Sequence, residues 1–338
     1  MRFGILLIAP HVSGNARRDF AELLEQAIAA ENLGYDSVWV TEHHSPFGTV
    51  GAPAVVLGAI AARTSRVRLG SMAAILPYHR PQHTAESYAL VDALSEGRLE
   101  LGVGRGNLAS ELDLHGVDPE TSREPFWENL AALRALWSGG ADGRRPGSFP
   151  QPLQQPVPIW VAASSIETAQ RAAGLGLRIA TSPAGGDIAG YRRRMAEIGT
   201  SLIAAGLSPS DLQFPLSTFD TYIAPSVGKA QEDFREPAFT MHRLMREADR
   251  RPLAASDSTQ LAARSAALGT SLVTDPAGAV SFLRDLEETT GLAHFVAATA
   301  QGGLCHELVL ASMELFAREV IPVLRSGSGH MDALRRSS

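Results

Sequence analysis

Three short stretches of this chain carry side chains able to do chemistry. The first is Val38-Trp-Val-Thr-Glu-His-His-Ser-Pro-Phe-Gly48, where a β-rich run ends in Glu42, His43 and His44. Imidazole changes charge near neutral pH, so each histidine is a candidate acid, base or metal ligand. Adjacent residues on an extended segment point to opposite sides, so the pair does not readily share one metal. One histidine facing a site is the functional reading; one packed and one exposed is the bland one. The second stretch is Gly102-Val-Gly-Arg-Gly106. Glycines let backbone N–H groups approach a phosphate, and Arg105 offers a planar fork to it, although such runs also mark plain tight turns. Arg123 is a second fork or a solvated surface arginine. The third is Ala163-Ser-Ser-Ile-Glu-Thr168. Serine at a helix start is first of all a cap. The same free N–H groups and positive helix end also attract an anion, so beside Arg105 the stretch makes a phosphate cradle.

These groups need a scaffold that brings them together. Apolar runs and helical spacing alternate along the chain. The spacing predicts strands over 3–9, 37–41, 67–72, 99–104, 159–162, 178–181, 216–224 and 293–299. Helices are expected over 20–33, 53–64, 81–94, 121–137, 166–175, 188–205, 228–246, 276–290 and 304–324. Eight strand–helix units with short links predict a parallel (β/α)8 TIM barrel in one domain, 1–326. An open doubly wound sheet is the alternative. Its glycine fingerprint after strand one is missing, because Ala9-Pro-His-Val-Ser-Gly-Asn15 does not fit it. In a barrel, Glu42–His44, Met72–Ala73, Arg105–Glu111 and Ala163–Thr168 all follow strands, at the end where barrels keep their chemistry. The Gly/Pro/Arg-rich stretch 139–158 reads as an insertion holding a small hairpin. The polar, weakly patterned stretch 249–274 reads as a mobile insertion, and 327–338 as a disordered tail.

Composition narrows the class. The chain has 338 residues, of which 45% are hydrophobic, enough for one large core. A net charge of −6 argues against a general nucleic-acid or membrane-surface binder. The single cysteine, Cys305, excludes an internal disulfide and a cysteine-rich metal site. The first ten residues read as a strand rather than a secretory leader, and no apolar run approaches the roughly 20 residues that span a bilayer. A cytoplasmic protein is expected. Lys229 is the only lysine, so a Schiff base has one candidate residue.

The Val38–Gly48 run resembles the bacterial luciferase α-subunit and the luciferase-like flavin monooxygenases. Further similar runs follow in order: Gly70–Pro77, Leu94–Gly106, His115–Asp118 with Ser122-Arg123, and Glu307–Phe316. The resemblance is dense over 1–137 and returns over 157–182 and 276–324. It implies a (β/α)8 barrel with insertions that uses reduced FMN (FMNH2) and O2 to oxygenate an organic molecule through a flavin C4a-hydroperoxide. The flavin would be supplied by a separate NAD(P)H:flavin reductase. Position by position, it implies that His43 is the acid/base beside the flavin, with His44 its less involved neighbour and Glu42 beside the site. Met72-Ala73 falls where the family has a non-prolyl cis peptide against the flavin ring. Arg105, Arg123, Ser164 and Thr168 match the phosphate site, and Glu111 stands where luciferase has an aspartate. The resemblance also implies a homodimer through the second and third helices. Departures include Ala163 in place of a glutamate, Gly104 in place of a cysteine, and a 249–274 stretch unlike the luciferase mobile loop. They favour oxygenation of another molecule over light emission. Two alternatives on the same fold are F420-dependent hydride transfer and a catalytically silent flavin-binding partner subunit.

Overall fold

The computed structural model describes residues 1–139, 147–183, 187–206, 216–299 and 302–326. Its strands are β1 (Arg2–Leu7), β2 (Ser37–Val40), β3 (Arg68–Ser71), β4 (Ala74–Ile75), β5 (Leu99–Gly104), β6 (Ile159–Ala162), β7 (Arg178–Thr181), β8 (Leu216–Ile223), β9 (Ser271–Thr274) and β10 (His294–Ala298). Every pairing between them is parallel, and the order β1-β2-β3-β5-β6-β7-β8-β10 returns to β1. Eight strands therefore close into a barrel, with β4 and β9 outside the ring. The expected TIM barrel is the observed fold.

Helices wrap the ring: α1 (Ala16–Asn32), α2 (Pro53–Ala61), α3 (Pro81–Leu94), α4 (Ala109–Leu114), α5 (Arg123–Trp137), α6 (Ile166–Gly174), α7 (Ile188–Ala204), α8 (Val227–Ala248), α9 (Ser258–Leu268), α10 (Pro276–Thr290) and α11 (His306–Glu319). Their starts are chemically marked. Asp275 caps α10 through the Gly278 N–H and is followed by Pro276 at the first helical position. Outward strand residues such as Phe3, Val38, Leu101 and Phe295 pack with the helices in one large core. A smaller inner core fills the barrel with Leu6, Trp39, Trp160, Ala180, Val296 and Ala298. Two indoles fit there because their neighbours are small. A Cβ on Gly70 would lie 2.1 Å from the Trp39 ring.

The amino-terminal end of the barrel is closed by charge. Buried Glu100 takes Arg68 at 3.1 Å and Arg2 at 3.3 Å on one oxygen. Its other oxygen accepts from the Trp160 indole at 2.8 Å and faces Arg178 at 3.7 Å.

Two expectations need correction. The stretch 249–274 is not a patternless insertion, because it holds α9 and β9, and β9 extends β8 from Asp220 to Ile223. Residues 140–146 lie outside the described residues, and 147–158 contain no strand, so no hairpin forms among the described residues of the 139–158 insertion. The expected tail, 327–338, also lies outside the described residues.

Candidate active site

The carboxyl end of β2 turns into a compact knot. Ser45 and Gly48 pair back to back, and a Cβ on Gly48 would sit 2.9 Å from the His43 Cβ, so only glycine lets the turn fold onto the histidine. The two histidines diverge. His43 Nδ1 lies 3.3 Å from Glu111 Oε2, and its ring packs edge-on against Phe47. His44 turns the other way, with Nε2 3.2 Å from Glu42 Oε1 and its ring against His115 and Tyr78.

Each carboxylate is tied down by several donors. Glu42 is also 2.6 Å from His79 Nε2 and accepts from the Ile75 N–H at 2.8 Å. Burial pushes its carboxyl up, but hydrogen bonds from His44, His79 and the Ile75 N–H outweigh burial and hold it below the ordinary value. Glu111 accepts from the Ser45 hydroxyl at 2.7 Å and the His44 N–H at 3.0 Å. There too burial is outweighed by the donors, His43 first, and the carboxyl is held low. A carboxylate accepts only, so the His43 proton sits on Nδ1 and Nε2 is left as the basic nitrogen. Among the described residues His43 Nε2 has no hydrogen-bond partner. Glu42 faces protein groups through both oxygens, which makes it part of the frame rather than of the open surface. Its hydrogen bond raises His79 above the ordinary imidazole value.

The end of β3 forms a ledge beside this knot. The Met72–Ala73 peptide is cis, and the chain then pairs briefly as β4 with Val103 and Gly104 of β5. Met72 lies on the inner apolar core. A Cβ on Gly102 would be 2.0 Å from the Ser71 carbonyl, and one on Gly104 would be 3.2 Å from the Ala73 Cβ. The two glycines thus let β5 pack closely beneath the ledge. Ala162, at the end of β6, is exposed although it sits on a barrel strand, so it borders the hollow of the mouth.

Next along the rim, Arg105 donates to the Pro119 carbonyl at 2.8 Å and to the Ser122 hydroxyl at 3.2 Å. This fixes it against the start of α5, where Arg123 is ion-paired with Glu167 in the first turn of α6. Arg105, Arg123 and the α6 start therefore form one basic corner. The cap of α6 is Ser165, which accepts from the Thr168 N–H at 3.3 Å, while exposed Ser164 lies just outside the helix. Thr168 is engaged by Ser165 through its hydroxyl as well. Ala163 is buried at the end of β6.

Sequence reasoning gave no role to Ser45, Tyr78, His79, His115, Ser165 or Glu167. Ser165 had a signal, since either adjacent serine satisfies the cap rule and only helix register separates them. His79 and His115 are far from Glu42 and His44 in the chain; His79 met no motif, and the run that holds His115 gave it no role. Among the described residues no group of three metal-ligating side chains forms.

The likeness to known proteins bears on the family and the fold. The family model described as luciferase-like monooxygenase matches residues 1–291. A luciferase-like monooxygenase of Escherichia coli K12 is 33% identical over 185 residues, 53% of this chain and 54% of that protein. The oxygenase component of a flavin-dependent trigonelline monooxygenase from Acinetobacter baylyi is 30% identical over 198 residues, 54% of each chain. The chain thus spans about half the length of the curated relatives it matches. The crystal structure of monooxygenase RslO1 from Streptomyces bottropensis superposes with a TM-score of 0.84 at 25% identity, over 96% of this chain and all (100%) of that one.

Proposed function

Because the chain belongs to the luciferase-like monooxygenase family, we propose that it is the oxygenase of a two-component system that uses reduced FMN and O2 to oxygenate a small organic molecule. The observation that carries this reading is one mouth holding both a histidine with a bare Nε2 and a basic corner of Arg105 and Arg123. The residues fit FMN. Two guanidinium forks and the N–H groups of the α6 start suit a phosphate. The Met72–Ala73 ledge, packed closely on Gly104, suits a flat ring.

Reduced FMN supplies the electrons that activate oxygen, and the protein supplies position, dryness and a proton. Arg105, Arg123, Ser164 and Thr168 hold the phosphate. Met72 and Ala73 support the ring, and Ala163 backs the cradle. Glu111 keeps the His43 proton on Nδ1, so Nε2 receives or returns a proton at the reacting face. Glu42 fixes His44, His79 and the Ile75 N–H, and so fixes the ledge.

A separate NAD(P)H:flavin reductase would supply the flavin, in keeping with a relative named as an oxygenase component. A homodimer through α2 and α3 is in keeping with the exposed Val55, Leu90 and Leu94 on those helices. Among the described residues no helix is long and apolar enough to cross a membrane.

Oxygen uptake by the purified protein, given FMN and a reductase, tests the proposal across aldehydes, ketones and aromatic polyketides. Substrate-dependent uptake with product formation is expected. Absence of FMN binding and of uptake overturns it. Turnover of reduced F420 without oxygen would place the chain with hydride-transfer enzymes instead.

A further inference from the structure

We propose that the amino-terminal end of the barrel binds a small, doubly charged oxoanion, held by Arg2 and Arg178 over the face of Trp160. This end lies opposite the mouth, so the inference stands apart from the flavin reading. Side chains alternate along a strand, and Leu6 faces the inner core, so Arg2 on the same strand faces inward too. Arg178 is in register with inward Trp160 of β6, and Arg2 with His294 of β10. The Arg178 guanidinium carbon lies 5.2 Å from the Trp160 ring centre, and that of Arg2 lies 6.0 Å from it. The His294 ring meets the same indole at a steep angle, with centres 6.1 Å apart. Three donor-bearing side chains thus converge on one flat floor.

The charges there do not balance. Arg2, Arg68 and Arg178 share the one carboxylate of Glu100, which leaves an excess of two positive charges. Arg68 is well satisfied, donating to Glu100, to the Gly97 and Leu99 carbonyls and to Gln154. The other two are not. The Arg2 side chain donates once, to Glu100 at 3.3 Å. Arg178 stands 3.7 Å from the second Glu100 oxygen, and its side chain makes no hydrogen bond among the described residues. A guanidinium carries five N–H donors, so most of those on both groups are open. Burial holds Arg178 below its ordinary value, and repulsion from Arg2 and Arg68 adds to it, although Glu100 opposes the shift. His294 is fully buried, and burial, with Arg2 and Arg178, keeps it neutral. Its Nε2 lies 2.8 Å from the Ser37 hydroxyl, whose oxygen accepts from the Trp39 indole. Ser37 therefore donates to Nε2, and the imidazole proton sits on Nδ1, which has no partner among the described residues. Excess charge and an unmet donor over an apolar floor are unfavourable unless an acceptor answers them. The Arg2 and Arg178 side chains are 40% and 28% exposed, so an ion reaches them from solvent, while Trp160 beneath is buried. Two excess charges and two open planar forks match a doubly charged oxoanion.

The test titrates sodium sulfate into isotope-labelled protein, with ionic strength held constant by sodium chloride, and follows the indole N–H signals by NMR. The Trp160 signal, identified through Trp160→Phe, should shift and saturate. Arg105→Ala, at the mouth, should leave that titration unchanged. Arg178→Gln should weaken sulfate by roughly tenfold or more, as for a lost hydrogen bond to a charged group. Arg178→Lys keeps the charge without the fork and should weaken it less. Arg2→Gln, at the more exposed position, gives the same reading if Arg178→Gln does not fold. Phenyl phosphate in a second arm separates the sources of the anion. Its binding alongside sulfate marks a site open to phosphate esters, its exclusion marks a site for the free ion, and both sustain the proposal. An unmoved Trp160 signal overturns it, as does a shift that grows without saturating, the mark of an adventitious ion only. A sulfate affinity undiminished in both glutamine variants overturns it equally.

Discussion

The two ends of the barrel each bury carboxylates, and they secure them differently. At the amino-terminal end Glu100 meets three arginines and an indole N–H. Guanidinium stays charged at any ordinary pH, so the cationic partners at that end do not switch. At the carboxyl end Glu42 and Glu111 meet histidines instead. Imidazole is the side chain whose ordinary value lies near neutrality, and among these partners His79 is raised by its hydrogen bond to Glu42. The same economy of buried charge gives a permanent plug at one end and a proton-handling site at the other.

His43→Ala should separate the ends most sharply. Loss of a positioned acid/base typically slows turnover by about 10²–10⁴-fold. The variant should bind FMN normally, and wild-type turnover would remove His43 from the chemistry. Glu100→Ala should do the converse. It leaves arginines crowded around a lost partner, at a cost of about 3–5 kcal/mol in urea unfolding. A loss below about 1 kcal/mol would show that the plug is solvated rather than structural.

Glu42→Gln is expected to cost less, about 1–3 kcal/mol, because shape and one acceptor remain. It should also lower the His79 titration seen by NMR, since Glu42 is what raises it. An unmoved His79 would detach the two residues.

The pH dependence follows from the same shifts. Glu42 and Glu111 are depressed below 4.5, so their contribution is present above 4.5 and is lost as pH falls through their folded values. His79 is raised above 6.5, so its contribution is present below 6.5 and is lost as pH rises through its folded value. Hydrogen-exchange protection of the His44 and Ile75 amides should therefore be fullest between 4.5 and 6.5. A flat profile there would erase the contrast with the arginine-held base. The smallest effect is expected from Glu167→Ala. Releasing Arg123 from a solvent-exposed pair should tighten FMN by roughly two- to fivefold. Weaker FMN binding would mean that Glu167 itself belongs to the site.

Much of this architecture was legible in residue order. Buried parallel strands read as short apolar runs, and Leu99–Gly104, Ile159–Ala162 and Arg178–Thr181 fall where the runs lie. The mouth was legible because strand ends carry polar groups next to glycines. Short or tertiary features were not. The two residues of β4 have no period to detect, and α4 is six residues long. Helix α9 carries few buried side chains, so its pattern is weak. His79 and His115 join the site only through folding, by contacts to Glu42 and His44.

One paired measurement tests the division of labour directly: FMN and riboflavin affinity in Arg105→Ala, at the mouth, and Arg68→Ala, at the base. Arg105→Ala should lose roughly tenfold or more in FMN affinity and keep riboflavin affinity, because only FMN carries the phosphate. Arg68→Ala should melt at a lower temperature and bind FMN as the wild type does. Unchanged FMN affinity in Arg105→Ala, or equal losses of both flavins, would contradict the phosphate corner and the flavin site built on it.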